Sequence, residues 1–135
     1  MRRQFQLPEE DEEGLAARGL NWESVIENQG NQNAKFLIFP QYRIPQGYNH
    51  GIVGVALRIP PAYPDEQIDM VYFQPALALA NGKTILNLSP LLIDGKQYQQ
   101  WSRHRTPANP WRNGLDNICT HLLQVDSWLE RELRK

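Results

Sequence analysis

The segment Pro60-Pro61-Ala62-Tyr63-Pro64-Asp65 carries three prolines within five residues. Proline fixes φ and has no amide proton, so a strand entering this segment must end there and the chain must turn rigidly before it resumes. The flanking runs, Gly51 to Ile59 and Ile68 to Phe73, are dominated by β-branched, aliphatic and aromatic residues, which is how strands read. Strand, stiff turn, strand is therefore the expected course from Tyr42 to Pro75, with Tyr42 to Asn49 as a connection punctuated by Pro45 and Gly47.

Two further strands are expected upstream, Trp22 to Ile26 and Lys35 to Phe39, joined through a turn-rich loop over 28–33 into a hairpin. Four closely joined strands argue for a four-stranded antiparallel meander. Such a sheet needs a cover. Leu115, Ile118, Leu122, Val125, Leu129 and Leu133 fall at three- and four-residue steps, the stripe of an amphipathic helix from about Asn113 to Leu133. A short N-terminal helix is expected between Leu7 and Gly19, with Pro8 and the acids Glu9 to Glu13 at its positive end, Gly19 as its stop and a solvated acidic face. The fold class is α+β. Between sheet and helix, Ala76 to Trp111 reads as irregular, with turn centres at Asn81-Gly82 and Asp94-Gly95, either of which can close a small hairpin. A stretch of this kind is commonly functional.

The chain has 135 residues, the size of one compact domain spanning 1–135. Its 14 basic and 15 acidic residues leave a formal net charge of -1, which gives no electrostatic case for nucleic acid. No apolar run approaches the roughly 20 residues of a membrane span, and Met1-Arg2-Arg3-Gln4 does not lead into an apolar signal core. A cytoplasmic protein is expected. One cysteine excludes an intrachain disulfide and a cysteine-cluster zinc site. The three histidines show no pair at metal spacing, so neither metal nor cofactor is expected.

The element order and the Tyr63-Pro64 turn resemble the ubiquitin-conjugating enzyme (UBC-like) superfamily. Leu7-Pro8, Pro45-Gln46-Gly47-Tyr48-Asn49, Tyr63-Pro64, Ile68-Asp69-Met70 and Trp101-Ser102-Arg103-His104 are similar to the pattern of its divergent bacterial branch, the prokaryotic E2 family E type. Trp111 stands where that superfamily ends its catalytic loop in a tryptophan that starts the next helix. The resemblance implies a UBC-like fold and a carrier that takes the C-terminus of a ubiquitin-like protein from an activating-enzyme-like protein. It also exposes departures. After Gly82-Lys83-Thr84, where the catalytic cysteine usually follows, the residue is Ile85. Before Gly82, where the common enzymes carry His-Pro-Asn, the chain reads Pro75-Ala76-Leu77-Ala78-Leu79.

A carrier needs a nucleophile. Cys119 is the only thiol, but it falls on the flank of the helical stripe, where a cysteine packs as a small hydrophobe. Counting back from Trp111, the resemblance places the usual nucleophile near Arg103, beside Ser102. A serine would carry an oxyester, and it needs an adjacent base. His104 lies two positions on, which in an extended segment puts both side chains on one side. Asp94 or Asp69 could orient the imidazole, and Arg103 or Arg105 could steady a developing oxyanion. The competing reading of 101–105 is a hairpin strand with Trp101 on the sheet and the basic residues in solvent. Ser89, before Pro90, is a second hydroxyl candidate and otherwise a turn residue. His50 reads as an exposed loop residue, and His121 as packed or solvated. Three functions are compatible with these residues: a serine-based carrier, a non-catalytic variant that binds a ubiquitin-like protein or scaffolds its activating enzyme, and an interaction module unrelated to either.

Overall fold

The structure, a computed structural model, describes residues 1–30 and 32–135. The elements run α1 (Glu9–Ala17), β1 (Glu23–Gln29), β2 (Gln32–Arg43), β3 (Ile52–Ile59), β4 (Val71–Gln74), β5 (Leu88–Ile93), β6 (Lys96–Trp101) and α2 (Ile118–Leu133). The strands form one antiparallel sheet in the order β1-β2-β3-β4-β6-β5. The first four make the expected meander, but the sheet has six strands, not four. Residues 76–111 are accordingly not irregular throughout. Asp94-Gly95 closes the extra hairpin with φ of 52° and 74°, the signs a two-residue turn with matching twist requires. Asn81-Gly82 makes only a tight turn, in which Gly82 N–H donates to the Leu79 carbonyl at 3.1 Å.

The sequence of β6, Lys-Gln-Tyr-Gln-Gln-Trp, explains why it is hard to foresee. Only Tyr98 and Trp101 in it are buried, so no apolar alternation marks a strand. Pairing decides instead: β6 inserts between β4 and β5 through Val71↔Trp101, Tyr72↔Gln100 and Phe73↔Gln99. The loop expected over 28–33 is mostly strand, with Asn28 paired to Asn33 and Gln29 to Gln32. Gly30 at φ 67° turns the chain, and Asn31 lies outside the described residues.

Helix α1 ends as expected at Gly19, φ 67°, where Gly19 and Leu20 N–H donate to the Ala16 and Leu15 carbonyls. Helix α2 begins later than the stripe implied. Asn117 accepts from Thr120 N–H at 3.0 Å while Thr120 Oγ1 accepts from Asn117 N–H at 2.8 Å, a capping box that fixes the start. Leu115 therefore precedes the helix and is 64% exposed, whereas Ile118, Leu122, Val125 and Leu129 are fully buried. Each of these four stabilises the fold by about 1.5–3 kcal/mol on burial. Leu133 is partly buried against Gly47. That glycine has φ 117°, and a Cβ on it would stand 2.6 Å from Leu133 Cδ2.

Strand alternation gives the sheet two apolar faces. One packs on the helices through Leu37, Phe39, Val55, Leu57, Phe73 and Trp101. The other gathers Val25, Phe36, Ile38, Ala56, Tyr72, Ile93 and Tyr98. Val25 and Ile93 belong to the two outermost strands, so the sheet curls around this second cluster. Arg2 ties the edges, donating to Asp94 at 2.6 and 2.9 Å and to Glu23 at 2.8 Å, and Asp94 N–H donates to the Glu27 carboxylate. Among the described residues no helix is long and apolar enough to cross a membrane.

Candidate active site

Ser102 is the first residue after β6. Its N–H still donates to the Asn87 carbonyl at 3.1 Å, but Arg103 N–H folds back onto the Trp101 carbonyl at 2.9 Å, a one-residue turn. The segment is thus bent at Ser102 rather than extended through His104, and the two side chains are not set on one side by strand alternation. Ser102 is half-buried, and its Oγ accepts from Gln100 Nε2 at 3.5 Å. Gln100 follows Tyr98 on the concave face, and its Nε2 also reaches Met70 Sδ at 3.6 Å. No hydrogen bond joins Ser102 to His104 among the described residues.

His104 instead meets Asp69, with Nδ1 2.9 Å from both carboxylate oxygens. An ionised carboxylate only accepts, so Nδ1 carries a proton, and in the neutral tautomer Nε2 is the nitrogen left with a lone pair. The imidazole is 61% exposed. Asp69 is the nearer of the two aspartates considered from sequence, because Asp94 lies at the turn of the β5–β6 hairpin, at the opposite end of β6. There the Arg2 guanidinium holds the Asp94 carboxyl below the usual aspartate range. Asp69 also lines a cleft of about 260 Å³ with Arg58, Glu66, Met70 and Tyr72.

The two arginines are engaged elsewhere. Arg103 donates to the carbonyls of Leu86 at 3.1 Å and Ser102 at 3.3 Å, reaches Glu132 at 3.4 Å and lies over Trp101. Arg105 is 6% exposed in its side chain, 3.9 Å from Asp116 and over the Trp111 ring. Ser89 is exposed on β5 opposite Gln100 and lines a groove of about 440 Å³ with Pro75, Leu88, Pro90 and Gln99. Ile85 is a core residue, and His50 is exposed in its loop. Cys119 is half-buried in the first turn of α2, its Sγ so close to α1 that a Cβ on Gly14 would meet it at 2.9 Å. Burial pushes its thiol up despite the helix N-terminus.

Sequence reasoning missed two features. Asp11, read as part of a solvated acidic face, is 3% exposed. Its carboxylate accepts from Tyr63 Oη at 2.8 and 2.9 Å and from Ile118 N–H at 3.2 Å, joining α1, the proline turn and the start of α2. Burial pushes the Asp11 carboxyl up, with the Tyr63 and Ile118 hydrogen bonds opposing. The four-residue step from Asp11 to Leu15, the two buried positions of α1, was the available signal. The other feature is the contact to the Met70 carbonyl, 2.9 Å from Nε2 of His121, a residue expected to be packed or solvated and found packed, fully buried on α2. Burial lowers its imidazole to about 4. Met70 has φ 59°, a conformation nothing in its sequence announces.

Among the described residues no group of three or more His, Cys, Asp or Glu side chains is arranged to hold a metal ion. Trp111 anchors the loop after β6 on the proline turn, its Nε1 donating to the Pro64 carbonyl at 3.0 Å and its ring packing edgewise on Tyr63. The chain matches the model of the family described as Prokaryotic E2 family E over residues 7–132. No curated protein and no solved structure matches it significantly.

Proposed function

The chain belongs to prokaryotic E2 family E, and from that premise we propose that it is a cytoplasmic acyl carrier of UBC-like fold with Ser102 as its nucleophile. It receives the C-terminus of a ubiquitin-like protein from an activating-enzyme-like protein and passes it to a target. The observation that supports this reading is the His104–Asp69 pair, whose imidazole lies two residues along the chain from Ser102. The one thiol, Cys119, packs against α1 instead.

Ser102 Oγ attacks the carbonyl carbon of the tail's thioester while His104 Nε2 takes the Oγ proton. The C–S bond breaks, the proton passes to the departing sulfur, and an oxyester remains on Ser102. A target amine then attacks the ester carbonyl. The C–O bond breaks, and a proton from the amine returns to Oγ through His104. Catalytic hydrogen bonds are often long in a resting enzyme and tighten in the complex. Arg103 and Arg105 would act by charge through the positions they hold, not as free donors.

A second reading is favoured by the Ser102–Gln100 contact and the turn at 101–103: a non-catalytic member that binds a ubiquitin-like protein or scaffolds the activating enzyme. Reconstitution with both partners separates the two. The carrier reading expects an adduct stable to reductant and cleaved by mild base, absent in Ser102→Ala and reductant-sensitive in Ser102→Cys. His104→Ala should form it on the order of a hundredfold more slowly, and Cys119→Ala at the parent rate. An unchanged adduct in Ser102→Ala moves the nucleophile to Ser89, and no adduct in the parent protein selects the non-catalytic reading.

A further inference from the structure

Asp69 and Met70 are held from two sides by two histidines. His104 takes the Asp69 carboxylate from the loop after β6, and His121 takes the Met70 carbonyl from within α2. We propose that His121 is a positioning residue for the His104–Asp69 pair, acting through the backbone of Met70; the inference deepens the reading of His104 as base.

The conformation of Met70 calls for such a holder. Its φ of 59° places it in the left-handed region, which an unbranched residue other than glycine enters only when its surroundings over-determine it. The contacts that fix it are few. Asp69 Oδ1 accepts from Met70 N–H at 3.1 Å, Gln100 Nε2 touches Met70 Sδ at 3.6 Å, and His121 Nε2–H donates to the Met70 carbonyl at 2.9 Å. If Met70 relaxed to an ordinary φ, the rotation about its N–Cα bond would swing Asp69 relative to β4, and the carboxylate would lose its alignment on His104.

The chemistry of position 121 supports the same conclusion. The ring is fully buried and packs edgewise on Trp128 with centroids 5.6 Å apart. A residue needed only to fill that space would be apolar, because a buried polar atom without a partner is costly. His121 has such an atom: Nδ1 is buried and unpartnered, as is Nε of Arg105, a cation that acts on this imidazole, as do the charges of Asp69 and Asp116. The cost of the unpartnered nitrogen is consistent with a specific use of the other. A carbonyl can only accept, so Nε2 must carry the proton, and a neutral ring suits the buried site.

The test is imidazole ¹⁵N NMR on the free protein, with adduct formation as a second arm. Wild type should show His104 protonated at Nδ1 and His121 at Nε2. A glutamine at 121 places its amide nitrogen where Nε2 stands, and an asparagine where Nδ1 stands. His121→Gln should therefore keep the His104 Nδ1–H signal, and His121→Asn should lose it to the Nε2–H form. Adduct formation should fall about ten- to a hundredfold in His121→Asn and stay near wild type in His121→Gln. A merely structural role predicts that both variants leave the His104 tautomer unchanged, and that result overturns the proposal. Finding His121 protonated at Nδ1 in wild type overturns it without any variant. If His121→Asn does not fold, His121→Met decides in its place, because it fills the space without a donor: a lost His104 Nδ1–H signal supports the proposal and a retained one refutes it. The spectra need no partner protein, so a protein that forms no adduct but shows the expected tautomers would refute the carrier reading and leave the positioning intact.

Discussion

Acid should unfold this protein over a window set by His121. The imidazole is fully buried, and burial lowers it from 6.5 to about 4; the Met70 carbonyl, Asp69 and Asp116 oppose the shift and Arg105 reinforces it. In the unfolded chain the ring is free to take a proton near 6.5. Between about 6.5 and 4 the unfolded state therefore binds more protons than the native state, and stability falls as pH falls. At about 1.4 kcal/mol per pH unit, the loss attributable to His121 is about 2 kcal/mol at pH 5 and about 3 kcal/mol near pH 4, below which it levels off. Urea unfolding at pH 7.5 and pH 5, for wild type and His121→Gln, isolates the effect because the glutamine does not titrate and other groups cancel in the difference. Working at or above pH 5 keeps clear of most carboxylate titration. Wild type should lose about 2 kcal/mol more than His121→Gln over this interval. Equal losses in the two proteins would refute the burial argument.

Asp11→Ala leaves Tyr63 Oη without its carboxylate acceptor and Ile118 N–H with Tyr63 Oη alone, at 2.9 Å, and should destabilise by about 1–3 kcal/mol. Tyr63→Phe should cost about 1 kcal/mol, and the double variant in a urea cycle should fall short of the sum by more than about 0.5 kcal/mol; additivity would show that the three groups do not act together. Leu122→Ala should cost about 2–5 kcal/mol as a cavity in the core, whereas Leu115→Ala should stay within about 0.5 kcal/mol, and comparable losses would place Leu115 on the helix stripe after all.

The sequence by itself determined the features that depend on neighbours along the chain. Three prolines stop β3 wherever the rest of the molecule lies. Apolar steps of three and four residues made α2 a core-facing helix, and Asp94-Gly95 was one of two turns able to reverse a hairpin. Local sequence also supplied Ser102, His104 and Asp69 as candidate groups, since residue type is all that such a list requires. Tertiary structure decided which of them meet. His104 and Asp69 are 35 residues apart, and His121 and Met70 are 51 apart. Those pairings depend on where β6, β4 and α2 come to rest, and a hydrogen bond leaves no periodic trace in either segment. The same holds for β6, whose glutamines carry no alternation and which becomes a strand because β4 offers it a ladder. Asp11 makes the point in reverse. Its charge reads as solvent-facing in any local window, and only the approach of Tyr63 and the Ile118 amide supplies the donors that make its burial tolerable.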